Sequence, residues 1–281
     1  HTLTLFPYTT LFRSIDLDAI QYPTLDRPEI TTCLFYPRPE WGQGGGGAED
    51  RTHMIPVEDQ VSLGARFHLN DSHAPNILFF HGNGEIASDY DDLADLYARI
   101  GVNFLPVDYR GYGRSGGRPT VTAMMRDAHR VFDYLSRWLS DHRYTGPLIV
   151  MGRSLGSACA LELAGQYPDA VEGLIVESGF ARAVPLLRLL GVATEALGIS
   201  EQEGFDNLVK IGRYRGPTLI IHAEFDHIIP FSDGQALYRA SPSEAKEFLE
   251  IPGANHNDIF LHGMRPYLDA VRRLAERCRR K

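Results

Sequence analysis

The stretch Leu148-Ile149-Val150-Met151-Gly152-Arg153-Ser154-Leu155-Gly156 decides how the rest of the chain is read. Four apolar residues run into a serine flanked by glycines two places away on either side, and small and apolar residues at helical spacing follow as far as Ala164. The order is strand, sharp turn, helix. In that context a G-x-S-x-G match predicts a nucleophile elbow, in which the turn strains the serine and lifts its hydroxyl above the sheet edge. Its glycines let strand and helix approach closely. The new helix would aim its free N–H groups and its positive end at a developing oxyanion. Taken alone, five such residues also fit a tight turn capped by serine. What decides is whether the chain supplies a base, an acid and a second oxyanion donor.

Around this stretch the pattern alternates. Strands are expected at Asn76–Phe80, Asn103–Val107, Leu148–Met151, Val171–Val176, Thr218–His222 and Glu247–Ile251. Helices are expected at Tyr90–Ile100, Val121–Leu139, Ser154–Tyr167, Asp233–Ala240 and from about Asp258 to Cys278. Continuous apolar runs such as Asn76–Phe80 fit strands buried on both faces, and the alternation predicts an α/β fold with a mostly parallel sheet between helical layers. His53–Val57 and Val61–Leu69 read as a hairpin in front of it, and Thr32–Tyr36 as an edge strand. Ser178–Gly216 breaks the rhythm. Leu186, Leu190, Ala193 and Leu197 recur there at helical spacing, and Phe205 and Leu208 begin a second patch, so the segment reads either as a small helical lid or as a crossover with an extra core-packed helix. Residues 51–281 are expected to form the domain, with the lid at about 178–216 and residues 15–50 as an N-terminal segment. Residues 41–50, with four consecutive glycines, read as a flexible loop. Thr4–Ser14 resembles the conceptual translation of a sequencing adapter, so residues 1–14 are set aside from the fold reading.

The polar clusters fall at strand ends, where ligands bind in such sheets. A serine hydroxyl needs a base within hydrogen-bond reach and a third group to orient that base. His256, directly after the last strand, is the candidate base, and Asp226, after the strand before it, the candidate acid. Glu177, which also ends a strand, is the alternative acid. His81-Gly82-Asn83-Gly84 follows an early strand and is placed to offer the Asn83 N–H beside that of Leu155 to an oxyanion. His81 itself reads as a structural loop residue.

With these residues in hand the chain from about His53 onward resembles the α/β-hydrolase superfamily, most closely the small bacterial lysophospholipase-like hydrolases and depalmitoylating thioesterases. The motifs are His81-Gly82-Asn83-Gly84, Asp108-Tyr109-Arg110-Gly111-Tyr112-Gly113-Arg114-Ser115, Gly152-Arg153-Ser154-Leu155-Gly156, Asp226-His227-Ile228-Ile229-Pro230 and His256-Asn257-Asp258. The resemblance implies ester or thioester hydrolysis with Ser154, Asp226 and His256 as triad, in the chain order of that superfamily. Asn255 and Glu224 stand where glycine is common, and both are expected to crowd the loops. An amidase or peptidase of the same fold and a catalytically silent binding scaffold are the alternatives. Because the base must be neutral, activity is expected to rise with pH through the range around 6 to 7 in which histidine loses its proton.

Other readings are weaker. Gly111-Tyr112-Gly113-Arg114-Ser115-Gly116 matches the dinucleotide fingerprint, yet no helix opens at once and no strand ending in an acid follows about 20 residues on. His222, Glu224, Asp226 and His227 resemble metal ligands but belong to one loop without a second ligand pair, so neither metal nor cofactor is expected. Asp258 is expected to cap the last helix. Arg272, Arg273, Arg277, Arg279, Arg280 and Lys281 form a basic tail that reads as a solvated helix end, with attraction to anionic lipid the lesser alternative. The net charge of -8 argues against nonspecific nucleic-acid binding. Cys33, Cys159 and Cys278 show no disulfide pattern, which suits a reducing compartment and slightly favours the cytoplasm. No apolar run approaches the roughly 18 residues of a membrane span. A small-molecule acyl ester or thioester is the expected partner.

Overall fold

The computed structural model describes residues 15–40 and 52–279. The adapter-like stretch, the glycine tract, Arg280 and Lys281 lie outside them. The chain forms strands β1 (Thr52–Glu58), β2 (Val61–Arg66), β3 (Asn76–Phe80), β4 (Asn103–Val107), β5 (Leu148–Arg153), β6 (Gly173–Glu177), β7 (Thr218–Ala223) and β8 (Lys246–Ile251). The helices are α1 (Pro28–Leu34), α2 (Asp91–Arg99), α3 (Val121–Asp141), α4 (Ser157–Gln166), α5 (Ala183–Leu189), α6 (Asn207–Gly212), α7 (Phe231–Ala240) and α8 (Ile259–Cys278). The strands make one sheet in the order β1-β2-β4-β3-β5-β6-β7-β8. β1 pairs with β2, and β2 with β4, in antiparallel fashion; the remaining pairs are parallel. From β3 the chain moves to β4 on one side and then to β5 on the other. The elbow therefore ends a strand at the topological switch point, where an open α/β sheet leaves a crevice.

The continuous apolar strands have two buried faces because neighbouring side chains alternate between them. Ile77 and Phe79 of β3, with Ile149 and Met151 of β5, pack against Ala94 and Tyr97 of α2 and Tyr267, Val271 and Leu274 of α8. Leu78, Phe80 and Val150 face the other layer, with Val131 and Phe132 of α3, Leu161 of α4, Ile211 of α6 and Leu237 of α7. Among the described residues no helix is long and apolar enough to cross a membrane.

Two local expectations are corrected. Thr32–Tyr36 is no edge strand, because α1 covers Pro28–Leu34. Pro28 occupies the first turn, where its missing N–H costs nothing, and Ile30 and Leu34, four residues apart, bury one face. The β-branched Ile30-Thr31-Thr32 run imitates a strand, but the helical spacing of its apolar neighbours prevails. The leucine series after Ser178 is also not one helix. α5 stops at Leu189, Gly191 and Gly198 turn the chain at φ 87° and 66°, and Leu186, Leu190 and Leu197 pack against the core.

Candidate active site

Ser154 leaves the C-terminal end of β5 at φ 51°, left-handed for a residue with a side chain, and opens a single 3₁₀ turn, Ser154–Gly156, before α4 begins at Ser157. Such a conformation persists only where the surroundings enforce it. Here they do. A Cβ on Gly152 would lie 2.2 Å from the carbonyl oxygen of Gly156, and one on Gly156 would lie 2.1 Å from that of Phe80. Strand, turn and the loop after β3 are thus in backbone contact, which only glycine permits at either place.

His256 follows β8 and Asp226 follows β7. His256 Nε2 lies 3.1 Å from Ser154 Oγ, and His256 Nδ1 lies 2.7 Å from Asp226 Oδ2. Oδ1 of Asp226 accepts the N–H groups of Ile228 at 3.0 Å and Ile229 at 2.7 Å, which leaves Oδ2 turned to the imidazole. Burial pushes the Asp226 carboxyl up, but the His256 hydrogen bond and these two N–H donors outweigh it and hold the group below its ordinary range. With Asp226 ionised, Nδ1 carries the imidazole proton and Nε2 is left to accept from the serine hydroxyl.

The loop after β3 lies against this turn. His81 is fully buried, its Nδ1 2.8 Å from Gly82 O and its Nε2 3.2 Å from Asp108 Oδ1, in keeping with a structural role. Asn83 is exposed. Its Oδ1 accepts from the N–H of Tyr36 and the hydroxyl of Tyr112, both at 2.7 Å, so residues far apart in sequence set the direction of this loop.

The other candidate residues make different contacts. Glu177 Oε1 accepts from Arg153 Nε at 3.1 Å and its Oε2 from the Tyr267 hydroxyl at 2.6 Å, so both oxygens of this carboxylate are engaged by groups other than His256. His222 Nε2 donates to Ile229 O at 2.9 Å, Glu224 Oε2 accepts from Gly253 N at 2.8 Å, and His227 is exposed, so these side chains diverge. Gly111–Gly116 stays a loop with Gly111 and Gly113 at positive φ, and α3 opens only at Val121. Asp258 occupies the N-cap position of α8 as expected, but its side chain makes no capping hydrogen bond; its carboxylate accepts from Asn255 N at 2.6 Å and Asn255 Nδ2 at 2.5 Å. Asn255 is held within its own loop by Asp258, and Glu224 ties the acid loop to the histidine loop, alongside Phe225 N to Ala254 O at 2.8 Å. In the basic tail Arg272 pairs with Asp269 and Glu276, Arg273 and Arg277 with Glu247, and Arg279 donates to Gly101 O.

Arg153 escaped the sequence reading, which weighed His222 only as a metal ligand. Arg153 occupies a position that the motif leaves free, and its guanidinium donates to Glu85, Glu177 and His256 O. His222 lies behind Asp226, its Nε2 3.6 Å from Oδ2, and burial lowers its pKa. No local pattern marks Arg153, because its partners Glu85, Glu177 and His256 come from other strand ends. A cavity of about 500 Å³ lies by α2 and the start of α8, lined by the apolar Phe79, Leu93, Phe260 and Leu261 and by the polar Glu85, Asp89, Arg153, Glu177, His256 and Asp258.

The Hydrolase_4 family model, described as "Serine aminopeptidase, S33", matches residues 71–200. An uncharacterized protein of Mycobacterium tuberculosis is 30% identical over 237 residues, covering 79% of this chain and 78% of its own. The human "Alpha/beta hydrolase domain-containing protein 17B" is 32% identical over 205 residues, covering 70% of this chain and 64% of its own. Among solved structures, Est1E from Butyrivibrio proteoclasticus, with ferulic acid bound, superposes with a TM-score of 0.64 at 18% identity over 82% of this chain and all of its own. That last likeness is one of fold. The chain belongs to the α/β-hydrolase superfamily and is a hydrolase of that class.

Proposed function

We propose that the protein is a serine hydrolase that cleaves carboxylic ester or thioester bonds through an acyl-enzyme intermediate. The observation that carries this reading is the continuous contact from Ser154 Oγ through the His256 ring to Asp226, with Ser154 held at φ 51°. Ser154 Oγ attacks the substrate carbonyl while His256 Nε2 takes its proton, and the same proton then passes to the departing alcohol or thiol. Asp226 fixes the tautomer and stabilises the imidazolium. The N–H groups of Asn83 and Leu155 receive the oxyanion, and loss of one such donor costs roughly 3 to 4 kcal/mol of transition-state stabilisation in comparable sites. Water repeats the sequence on the acyl-enzyme. The reaction needs no cofactor.

Ser178–Gly216 serves in this reading as a short cover over the strand ends. The aminopeptidase description of the matching family supports amide hydrolysis as the second reading. Fluorophosphonate labelling of the wild type beside Ser154→Ala tests the first. Labelling of wild type alone is expected, and a folded wild type that stays unlabelled sinks the proposal. Turnover of matched ester, thioester and amide analogues of one acyl group then separates the two readings, with ester or thioester turnover expected to exceed amide turnover.

A further inference from the structure

We propose that Arg153 is a positioning residue: its guanidinium holds the elbow, the loop after β3 and the histidine loop in register. The proposal rests on the triad reading given above, and part of its test does not depend on that reading. Arg153 sits immediately before Ser154, yet its side chain reaches three other strand ends. Its Nε donates to Glu177 Oε1 at 3.1 Å, its Nη1 to Glu85 Oε1, and its Nη2 to the backbone oxygen of His256 at 2.8 Å and to Asn257 Oδ1 at 3.4 Å. Glu85 carries the link onward, since its Oε2 accepts from Gly82 N and from the Tyr90 hydroxyl, each at 2.6 Å. One planar cation thereby touches the residue that supplies the base and, through one carboxylate, the loop that supplies Asn83.

Space around the cluster is shaped for this cation. A Cβ on Gly82 would lie 2.6 Å from Arg153 Nη1 and 2.9 Å from Glu85 Oε2, so a side chain there would have to displace the ion pair that passes beneath the loop. The Arg153 side chain is 11% exposed and that of Glu177 is 4% exposed, while Tyr267 satisfies the remaining oxygen of Glu177. A buried ion pair is a poor device for stability, because well-packed apolar replacements often match it. Its fixed fork is a good device for direction. Each of its N–H groups points along a set line, which a lysine ammonium cannot reproduce.

The test compares wild type, Arg153→Met, Arg153→Lys and Glu85→Ala by ester kinetics and by hydrogen exchange of the same proteins. Arg153→Met is expected to lower kcat by about 100-fold, as small misplacement of catalytic groups does, with KM within about twofold. Exchange is expected to rise in residues 80–86 and 254–258 and to stay unchanged in β5 and β6. Arg153→Lys should recover about tenfold of the loss, through charge without the fork. Should Arg153→Met fail to fold, Glu85→Ala carries the test: it cuts one arm only, so 80–86 should loosen while 254–258 stays protected. A kcat within twofold of wild type in the Met variant overturns the proposal. So does exchange that rises equally in β5 and β6, which would make the cluster a general support of the fold. Exchange that behaves as expected in a wild type inert to fluorophosphonate and to esters would instead refute the hydrolase reading and leave the positioning role standing.

Discussion

Gly156 shows how little room the elbow leaves. A methyl group there would meet Phe80 O at 2.1 Å and His81 O at 2.8 Å, both backbone atoms that cannot rotate away. Gly156→Ala must therefore push the loop after β3 off the elbow. Overpacking of this kind costs about 1 to 3 kcal/mol, and the displaced Asn83 N–H should lower kcat more than the lost stability alone explains. Thermal melts beside ester kinetics check both parts; an unaltered kcat would show that the loop does not serve the reaction. At this scale the sequence was legible where a pattern constrains each position. Ser154, Asp226 and His256 each lie in a motif at the end of an expected strand. Arg153 was not, because the x of G-x-S-x-G accepts any residue and its partners, Glu85, Glu177 and His256, become neighbours only once the sheet is assembled.

Among the elements, α4 and α6 are joined by a buried polar cluster that no periodicity announces. Glu162 of α4 lies 2.7 Å from Lys210 Nζ of α6 and 3.1 Å from His129 Nε2 of α3, and Lys210 also reaches the Tyr22 hydroxyl at 3.2 Å. Burial raises the Glu162 carboxyl, but the His129 hydrogen bond and the Lys210 charge outweigh it and bring the group down to about 2. In the unfolded chain the same carboxyl takes up its proton near its ordinary value of 4.5. Between these values the unfolded state binds the extra proton, so stability is fully present above about 4.5 and is lost as pH falls toward about 2. Glu162→Gln should flatten that decline. At neutral pH it should also cost about 3 kcal/mol by leaving Lys210 buried without its counter-charge. Urea titrations of both proteins from pH 7 downward measure the two effects, and parallel pH profiles would rule the assignment out. The strands were readable because a short, continuous apolar run bounded by polar ends fits little besides a strand covered on both faces. Helix α1 was not, since Thr31-Thr32 satisfies a strand pattern locally and only the core that receives Ile30 and Leu34 decides otherwise.

Across the whole molecule, the N-terminal residues tie distant parts together. Thr122 Oγ1 accepts from Tyr22 N at 2.8 Å, Arg27 donates to Leu197 O at 3.1 Å, Thr24 to Glu203 Oε1 at 3.2 Å, and Tyr36 N to Asn83 Oδ1 at 2.7 Å. One segment thus runs from the start of α3, past the residues between α5 and α6, to the loop after β3. The Tyr112 hydroxyl closes the far end, accepting from Tyr36 N at 2.8 Å and donating to Asn83 Oδ1 at 2.7 Å. Tyr112→Phe removes only that hydroxyl. It is expected to cost about 1 kcal/mol of stability, the usual worth of a buried hydrogen bond, and to lower kcat several-fold with KM nearly unchanged. Equal kcat in the two proteins would mean that the segment supports the fold alone. None of this was legible, because a segment without periodicity gives no sign of what it crosses.

The left-handed backbone of Ser154 has a consequence beyond the reaction. Ser154→Ala and Ser154→Gly both remove the hydroxyl, but only glycine adopts φ 51° without crowding between its Cα substituent and the next carbonyl. The glycine variant should be the more stable of the two by about 1 kcal/mol, readable as a higher melting temperature. If Ser154 is the nucleophile, as proposed, selection for chemistry holds this position against the direction in which stability alone would carry it, and in a lineage released from that selection glycine is the residue to which the position would drift.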